Sequence, residues 1–121
     1  MTAVLVIDDD ETARLVVRDT LQQAGFTVHT SATPIGATRL VREHGVSVVV
    51  CDLNMPAMRG DALARLFRGS KALQHVRLVL ISGAGQDQLD AIARDGVVDA
   101  ALSKDALAQA LVPTLHRLVR R

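Results

Sequence analysis

Four short apolar runs along the chain each end in a side chain that can do chemistry. Val4-Leu5-Val6-Ile7 runs into Asp8 and Asp9, and Val48-Val49-Val50-Cys51 into Asp52. Leu78-Val79-Leu80-Ile81 runs into Ser82, and Ala100-Ala101-Leu102 into Ser103 and Lys104. None of them alternates with polar residues, so each predicts a strand covered on both faces, as in a parallel sheet. Phe26-Thr27-Val28-His29-Thr30 does alternate and predicts an outer strand. The strands are expected over residues 3–8, 26–30, 46–52, 76–82 and 98–103.

Between them the apolar period changes to that of a helix. Ala13, Val16, Val17, Leu21 and Ala24 form a stripe after Asp10, Glu11 and Thr12, and Gly25 closes the helix as a left-handed cap. Thr33-Pro34 predicts the start of a second helix, with Pro at its first position, a stripe of Ala37, Leu40 and Val41, and a stop at Gly45. Gly60-Asp61 leads into a third with Leu63, Leu66 and Phe67 inward. A fourth is expected over residues 86–95, burying Leu89, Ile92 and Ala93 before Gly96. Asp105 is placed to cap the last, whose stripe is Leu107, Ala110, Leu111, Leu115 and Leu118. Pro113 lies inside that stripe, lacks a donor and predicts a kink or a break.

Five strands alternating with five helices, without a long linker or an internal repeat, describe one α/β domain over residues 1–121, with no output domain in the chain. The expected architecture is a doubly wound, five-stranded parallel sheet with helices on both faces. Such sheets place their ligand crevice at the carboxyl ends of the strands, where Asp8, Asp9, Asp52, Ser82 and Lys104 all fall.

Composition narrows the function classes. Phe26 and Phe67 are the only aromatics apart from histidine, so the core is aliphatic and base-stacking platforms are lacking. A net charge of +1 argues against nucleic acid as a direct partner. Arg117, Arg120 and Arg121 read as a solvated helix end whose cations suit the macrodipole. The single cysteine, Cys51, excludes an internal disulfide, fits a reducing compartment and sits in an apolar run as a packing residue. No apolar stretch approaches membrane-spanning length and no leader opens the chain, so a cytoplasmic location without a membrane partner is expected. His29, His44, His75 and His116 fall on different elements without metal-ligand spacing and are expected to form no site.

Neighbouring parallel strands lie about 4.8 Å apart, so acids at their carboxyl ends crowd one another. Like charges in a partly desolvated pocket destabilise the fold unless a cation relieves them. Asp8, Asp9 and Asp52 with a carbonyl make an all-oxygen set suited to Mg²⁺. Ser82 and Lys104, arriving on other strands, can each hold a phosphoryl oxygen, and Asp52 is then placed to act as nucleophile, forming an acyl phosphate.

In these residues the chain resembles a receiver domain of the bacterial two-component response regulators, of the chemotaxis-receiver kind, over essentially its whole length. Val6-Ile7-Asp8-Asp9, Asp52-Leu53-Asn54-Met55-Pro56 with Gly60, Ser82-Gly83-Ala84 and Lys104 carry the likeness. The resemblance implies a flavodoxin-like sheet of strand order 2-1-3-4-5. It also implies Mg²⁺-dependent phosphorylation by a histidine kinase or phosphotransfer protein, and a downstream effector whose identity stays open. Carried over, Asp52 is the phosphoacceptor. Asp9, Asp52 and the Asn54 backbone carbonyl bind Mg²⁺, with Asp8 acting mainly through metal-bound water, and Ser82 and Lys104 contact the phosphoryl group. Such a domain catalyses only its own phosphorylation and dephosphorylation. The last helix, basic and amphipathic, could continue into a linker or mediate a homodimer.

Two positions depart from the family. Ala101 stands where the family usually has an aromatic three residues before the lysine, so the usual aromatic switch cannot operate. Asp105 replaces the usual Pro after it, and a trans bond is expected there. The expected output therefore runs through Ser82 and the 83–85 loop to the fourth helix. Two rival readings remain. One is a receiver fold that binds a partner without phosphorylation. The other is a haloacid-dehalogenase-like phosphatase, since Asp8-Asp9-Asp10-Glu11-Thr12 matches Asp-x-Asp-x-Thr, with Asp8 as nucleophile and Asp10 as general acid.

Overall fold

The structure, a computed structural model, describes residues 2–83 and 85–120. Met1, Ala84 and Arg121, the second and third of which carried expectations above, lie outside the described residues. In chain order the elements are β1 (Ala3–Ile7), α1 (Glu11–Gln23), β2 (Thr27–Ser31), α2 (Ala37–His44), β3 (Val48–Asp52) and α3 (Gly60–Arg68). β4 (Arg77–Ser82), α4 (Gln86–Arg94), β5 (Ala100–Ser103), a single 3₁₀ turn (Lys104–Ala106) and α5 (Leu107–Val119) follow. The strands pair in parallel in the order β2-β1-β3-β4-β5, the expected flavodoxin-like sheet.

The uninterrupted apolar runs are explained by a core on each face. Leu5, Ile7, Val49, Cys51, Leu78 and Leu80 point to the side covered by α2, α3 and α4, where Val41, Leu63 and Phe67 meet them. Their alternate neighbours Val4, Val6, Val48, Val50, Val79 and Ile81 point to α1 and α5, against Val17, Leu21, Leu111 and Leu115. Each fully buried aliphatic contributes about 1.5–3 kcal/mol against exposure, which holds the strand ends in register. Cys51 belongs to this packing; burial, followed by the charge of Asp52, pushes its thiol up to about 12.

The helices differ from expectation where the apolar stripe was read too wide. Val16 is 57% exposed and Leu66 52% exposed, and Ala93 is also exposed. A helix lying on a sheet covers one narrow face, which Val17 in α1 and Phe67 in α3 occupy as expected, the latter joined by Ala64. α2 starts three residues after Pro34, because side chains capture the preceding backbone. The Ser31 hydroxyl donates to the Thr33 carbonyl (2.7 Å), the Ile35 N–H donates to Thr33 Oγ1 (3.2 Å), and Gly36 turns left-handed at φ 84°.

At the other end, Ser103 rather than Asp105 supplies the cap: its Oγ accepts from the Asp105 N–H (3.1 Å), and Asp105 lies in the 3₁₀ turn. α5 then runs through Pro113 without a break. Pro113 and Gln109, whose carbonyl loses its helical donor, are both exposed, so water reaches that oxygen and the helix tolerates the proline. The described peptide bonds are trans, the one before Asp105 included.

Asp99, just ahead of β5, anchors the opposite edge of the sheet. Its Oδ2 accepts from Arg68 Nη2 and from the Leu78 N–H, both at 2.7 Å. The same guanidinium donates to the carbonyls of Val97 (3.0 Å), Gln74 (3.0 Å) and Val76 (2.8 Å).

Candidate functional site

Each strand that pairs in the sheet centre delivers one side chain to the carboxyl edge. Asp8 follows β1 directly and is 5% exposed, Asp52 ends β3 at 7%, and Ser82 ends β4 with none of its surface exposed. Lys104 follows β5, two strands from Asp52, and its long stem spans the end of β4 so that Nζ lies 3.2 Å from Asp52 Oδ2. Ser82 pairs in register with Ser103, directly before that lysine.

Local turns aim the acids. Asp8 Oδ1 accepts from the Asp10 N–H (2.9 Å), while Asp10 Oδ2 accepts from the Ala13 N–H (3.2 Å) and caps α1. Asp52 Oδ1 accepts from the Asn54 N–H at 3.1 Å, a turn held by its own side chain. Asp8, Asp9 and Asp52 each present a carboxylate oxygen within 4.8 Å of the others. Among the described residues this is the one group of three or more acids, histidines or cysteines so disposed. Asp9 is exposed and opens the cluster to solvent.

Charge is unevenly balanced there. Burial, and after it the carboxylates of Asp52 and Asp9, raises the Asp8 pKa above the ordinary carboxylate value, against the opposing pull of the Asp10 N–H and Lys104. Burial alone would lower the Lys104 pKa, but the charge and hydrogen bond of Asp52, with the charges of Asp8 and Asp10, together outweigh it and raise the ammonium above its usual value. Three oxygen donors converging with one side open to water, and a single ammonium for three acids, are the donor set of a hard divalent cation. The residues fit Mg²⁺.

The chain thus brings Asp8, Asp9, Asp52 and Lys104 into one cluster, with Ser82 at the end of the intervening strand. Asn54 is exposed at its mouth, joined to Asp52 through its N–H, with its side-chain Oδ1 3.5 Å from Arg59 Nη1. Asp10 stands outside the cluster as a helix cap.

Two supports were not foreseen. Arg14 Nη1 donates to the Asp8 carbonyl (2.8 Å), bracing β1's end from α1; its position one turn into a helix that follows a strand was the available signal. Gly60 lets α3 pack onto β3. A Cβ there would lie 2.7 Å from the Asp52 carbonyl oxygen and 2.7 Å from Leu80 Cδ2. His29 and His44, on different elements and expected to form no site, stack with ring centroids 4.0 Å apart.

The family model of the response regulator receiver domain matches residues 4–116. The chain is similar to the chemotaxis protein CheY of Pseudomonas aeruginosa, 31% identical over 121 residues, spanning 98% of this chain and 96% of that protein. It is 34% identical to part of the sensor kinase CckA of Brucella abortus, spanning 80% of this chain but 10% of that protein. The solved structure of the response regulator protein TrrA of Thermotoga maritima, in complex with Mg²⁺-BeF, matches with a TM-score of 0.84. Its identity is 21%, over 98% of this chain and 99% of that one.

Proposed function

The chain belongs to the response regulator receiver domain family, modules of two-component signalling systems, and from that premise we propose that Asp52 accepts a phosphoryl group from a phosphohistidine. The observation that carries this reading is the Lys104 ammonium 3.2 Å from Asp52 Oδ2, with two further carboxylates converging on the same point. The donor is a histidine kinase or a phosphotransfer protein.

An Asp52 oxygen attacks phosphorus as the P–N bond to the donor imidazole breaks, and that nitrogen keeps the bonding pair and takes up a proton. Asp9, Asp52 and the Asn54 carbonyl, with Asp8 acting mainly through water, would hold Mg²⁺, which would supply charge neutralisation for the acids and the incoming phosphoryl group. Forming the acyl phosphate converts the carboxylate that Lys104 faces into an ester-like carbonyl, so the ammonium transfers its attraction to a phosphoryl oxygen. The Ser82 hydroxyl holds another. Ala101 offers no aromatic relay, so the rearrangement of Ser82 and the 83–85 loop reaches the effector surface by shifting α4.

The phosphatase alternative is disfavoured because Asp10, its general acid, caps α1 outside the acid cluster, and because the Lys104 ammonium faces Asp52 rather than Asp8. Ala101 and Asp105 favour keeping phosphorylation-independent partner binding as the second reading.

Incubation with acetyl phosphate and Mg²⁺, followed by borohydride trapping and peptide mass mapping, tests the assignment. Label on Asp52 that requires Mg²⁺ and vanishes in Asp52→Asn is expected. Label on Asp8, or none on a protein that also ignores beryllofluoride, would overturn it.

A further inference from the structure

Sheet pairing ends one residue short of the acid cluster. β1 is in register with β2 and β3 up to Ile7, which lies opposite Ser31 and Cys51. The Asp8 N–H still donates to the Ser31 carbonyl (3.2 Å), but among the described residues no backbone N–H donates to the Asp8 carbonyl. Its donor comes from α1 instead: Arg14 Nη1, at 2.8 Å. With Asp8 Oδ1 accepting from the Asp10 N–H (2.9 Å), the residue is held at its N–H, its carbonyl and one side-chain oxygen.

Asp8 Oδ2 has no donor among the described residues, so Asp8 offers a cation, or a water on it, one free oxygen. Asp9 is exposed, and among the described residues its carboxylate accepts no hydrogen bond and forms no ion pair. Only the backbone aims it. That backbone is the Asp8–Asp9 peptide, whose oxygen Arg14 holds. Arg14 is half-buried, and among the described residues its guanidinium makes this one bond and no ion pair. It braces a carbonyl rather than neutralising an acid.

We propose that Arg14 is a positioning residue for the cation site: by fixing the Asp8–Asp9 peptide it holds both acids in a rigid arrangement that favours Mg²⁺ over Ca²⁺. This rests on the reading that these acids hold Mg²⁺ beside Asp52. Mg²⁺ demands near-ideal octahedral placement of its oxygens, whereas Ca²⁺ accepts more oxygens in a flexible shell, often both oxygens of one carboxylate. A pinned pair of acids, one of them limited to a single free oxygen, suits the first ion. Without the guanidinium the peptide can rotate and swing Asp9 aside, a displacement that Ca²⁺ tolerates and Mg²⁺ does not. Losing a group that orients a metal ligand without touching the metal typically weakens binding by about 10–100-fold.

Separate Mg²⁺ and Ca²⁺ titrations, followed by the NMR amide shifts of residues 8–10 and 52–54, read both affinities without any phosphoryl donor. Wild type should bind Mg²⁺ the more tightly. Arg14→Met keeps the stem and removes the donor; it should bind Mg²⁺ about tenfold more weakly with a smaller loss for Ca²⁺, so the ratio of the two affinities falls. Arg14→Gln, too short to reach the carbonyl, should do the same and serves if Arg14→Met fails to fold. Arg18→Met, one turn further along α1 where Arg18 pairs with Asp19 at 2.9 Å, removes the same charge and should leave the ratio unchanged. A ratio that stays fixed in a folded Arg14 variant, tighter Mg²⁺ binding there, or an equal fall in Arg18→Met would overturn the positioning role and leave the cation site standing. Wild-type protein whose amides ignore Mg²⁺ would overturn the site itself and the role of Arg14 with it.

Discussion

Asp8→Asn isolates the electrostatic strain of the acid cluster, because an amide keeps the acceptor oxygen for the Asp10 N–H and removes only the charge. Carboxylate oxygens within 4.8 Å of one another repel by about 3.5 kcal/mol per pair or more at an effective dielectric constant of 20. Lys104, 3.2 Å from Asp52, and the water around exposed Asp9 offset most of this. The net gain expected for Asp8→Asn in EDTA at about pH 7 is roughly 1 kcal/mol, or about 4 °C in Tm for a domain of this size. The sign follows from the raised Asp8 pKa. The folded state binds that proton more tightly than the unfolded chain, so the wild type loses stability as pH rises through the folded value. The variant's advantage is therefore full above that value and disappears as pH falls below the ordinary 3.8.

If Mg²⁺ binds the acids as proposed, it should reverse the ranking, stabilising the folded wild type while the variant, with one acid fewer, responds less. Urea denaturation of both proteins, with and without Mg²⁺ and across the acid limb, reads all three effects. A variant that is less stable than wild type in EDTA, or that gains as much from Mg²⁺, would refute the crowding argument.

Two further substitutions test the scaffold under the site. Gly60→Ala should lower stability by about 2 kcal/mol, since the new methyl meets the Asp52 carbonyl oxygen and the buried Leu80 at 2.7 Å and neither can yield; an unchanged urea midpoint would show that α3 slides freely on β3. Arg68→Ala should cost about 2–4 kcal/mol by stranding the carbonyls of Val76 and Val97 and leaving Asp99 with only the Leu78 N–H and Arg77. Arg68→Lys should recover little of that loss in the same denaturation assay, because one ammonium cannot span four acceptors.

The strand ends could be read from the chain because chemistry and burial meet there at a single residue. A run such as Val48 to Cys51 has no polar face, so it must lie inside a parallel sheet, and Asp52 must then emerge at its carboxyl end. Helix faces were less legible. Val16 and Val17 are equally apolar, and only the direction in which α1 lies across the sheet puts the second inward and the first in water. The start of α2 was hidden for a different reason: Ser31 and Thr33 hold the backbone through their own hydroxyls, which a proline signal does not reveal.

From the residues alone came the sheet class and the five side chains at its carboxyl edge, both of them properties of local pattern and side-chain type. The fold decided what depends on distance between remote segments. It set Lys104 against Asp52 across an intervening strand, left a gap at Gly60 for a carbonyl, joined Arg68 to Asp99, and stacked His29 on His44. Sequence spacing carries no information about such pairs, because they form only when sheet order and helix direction bring separate elements together.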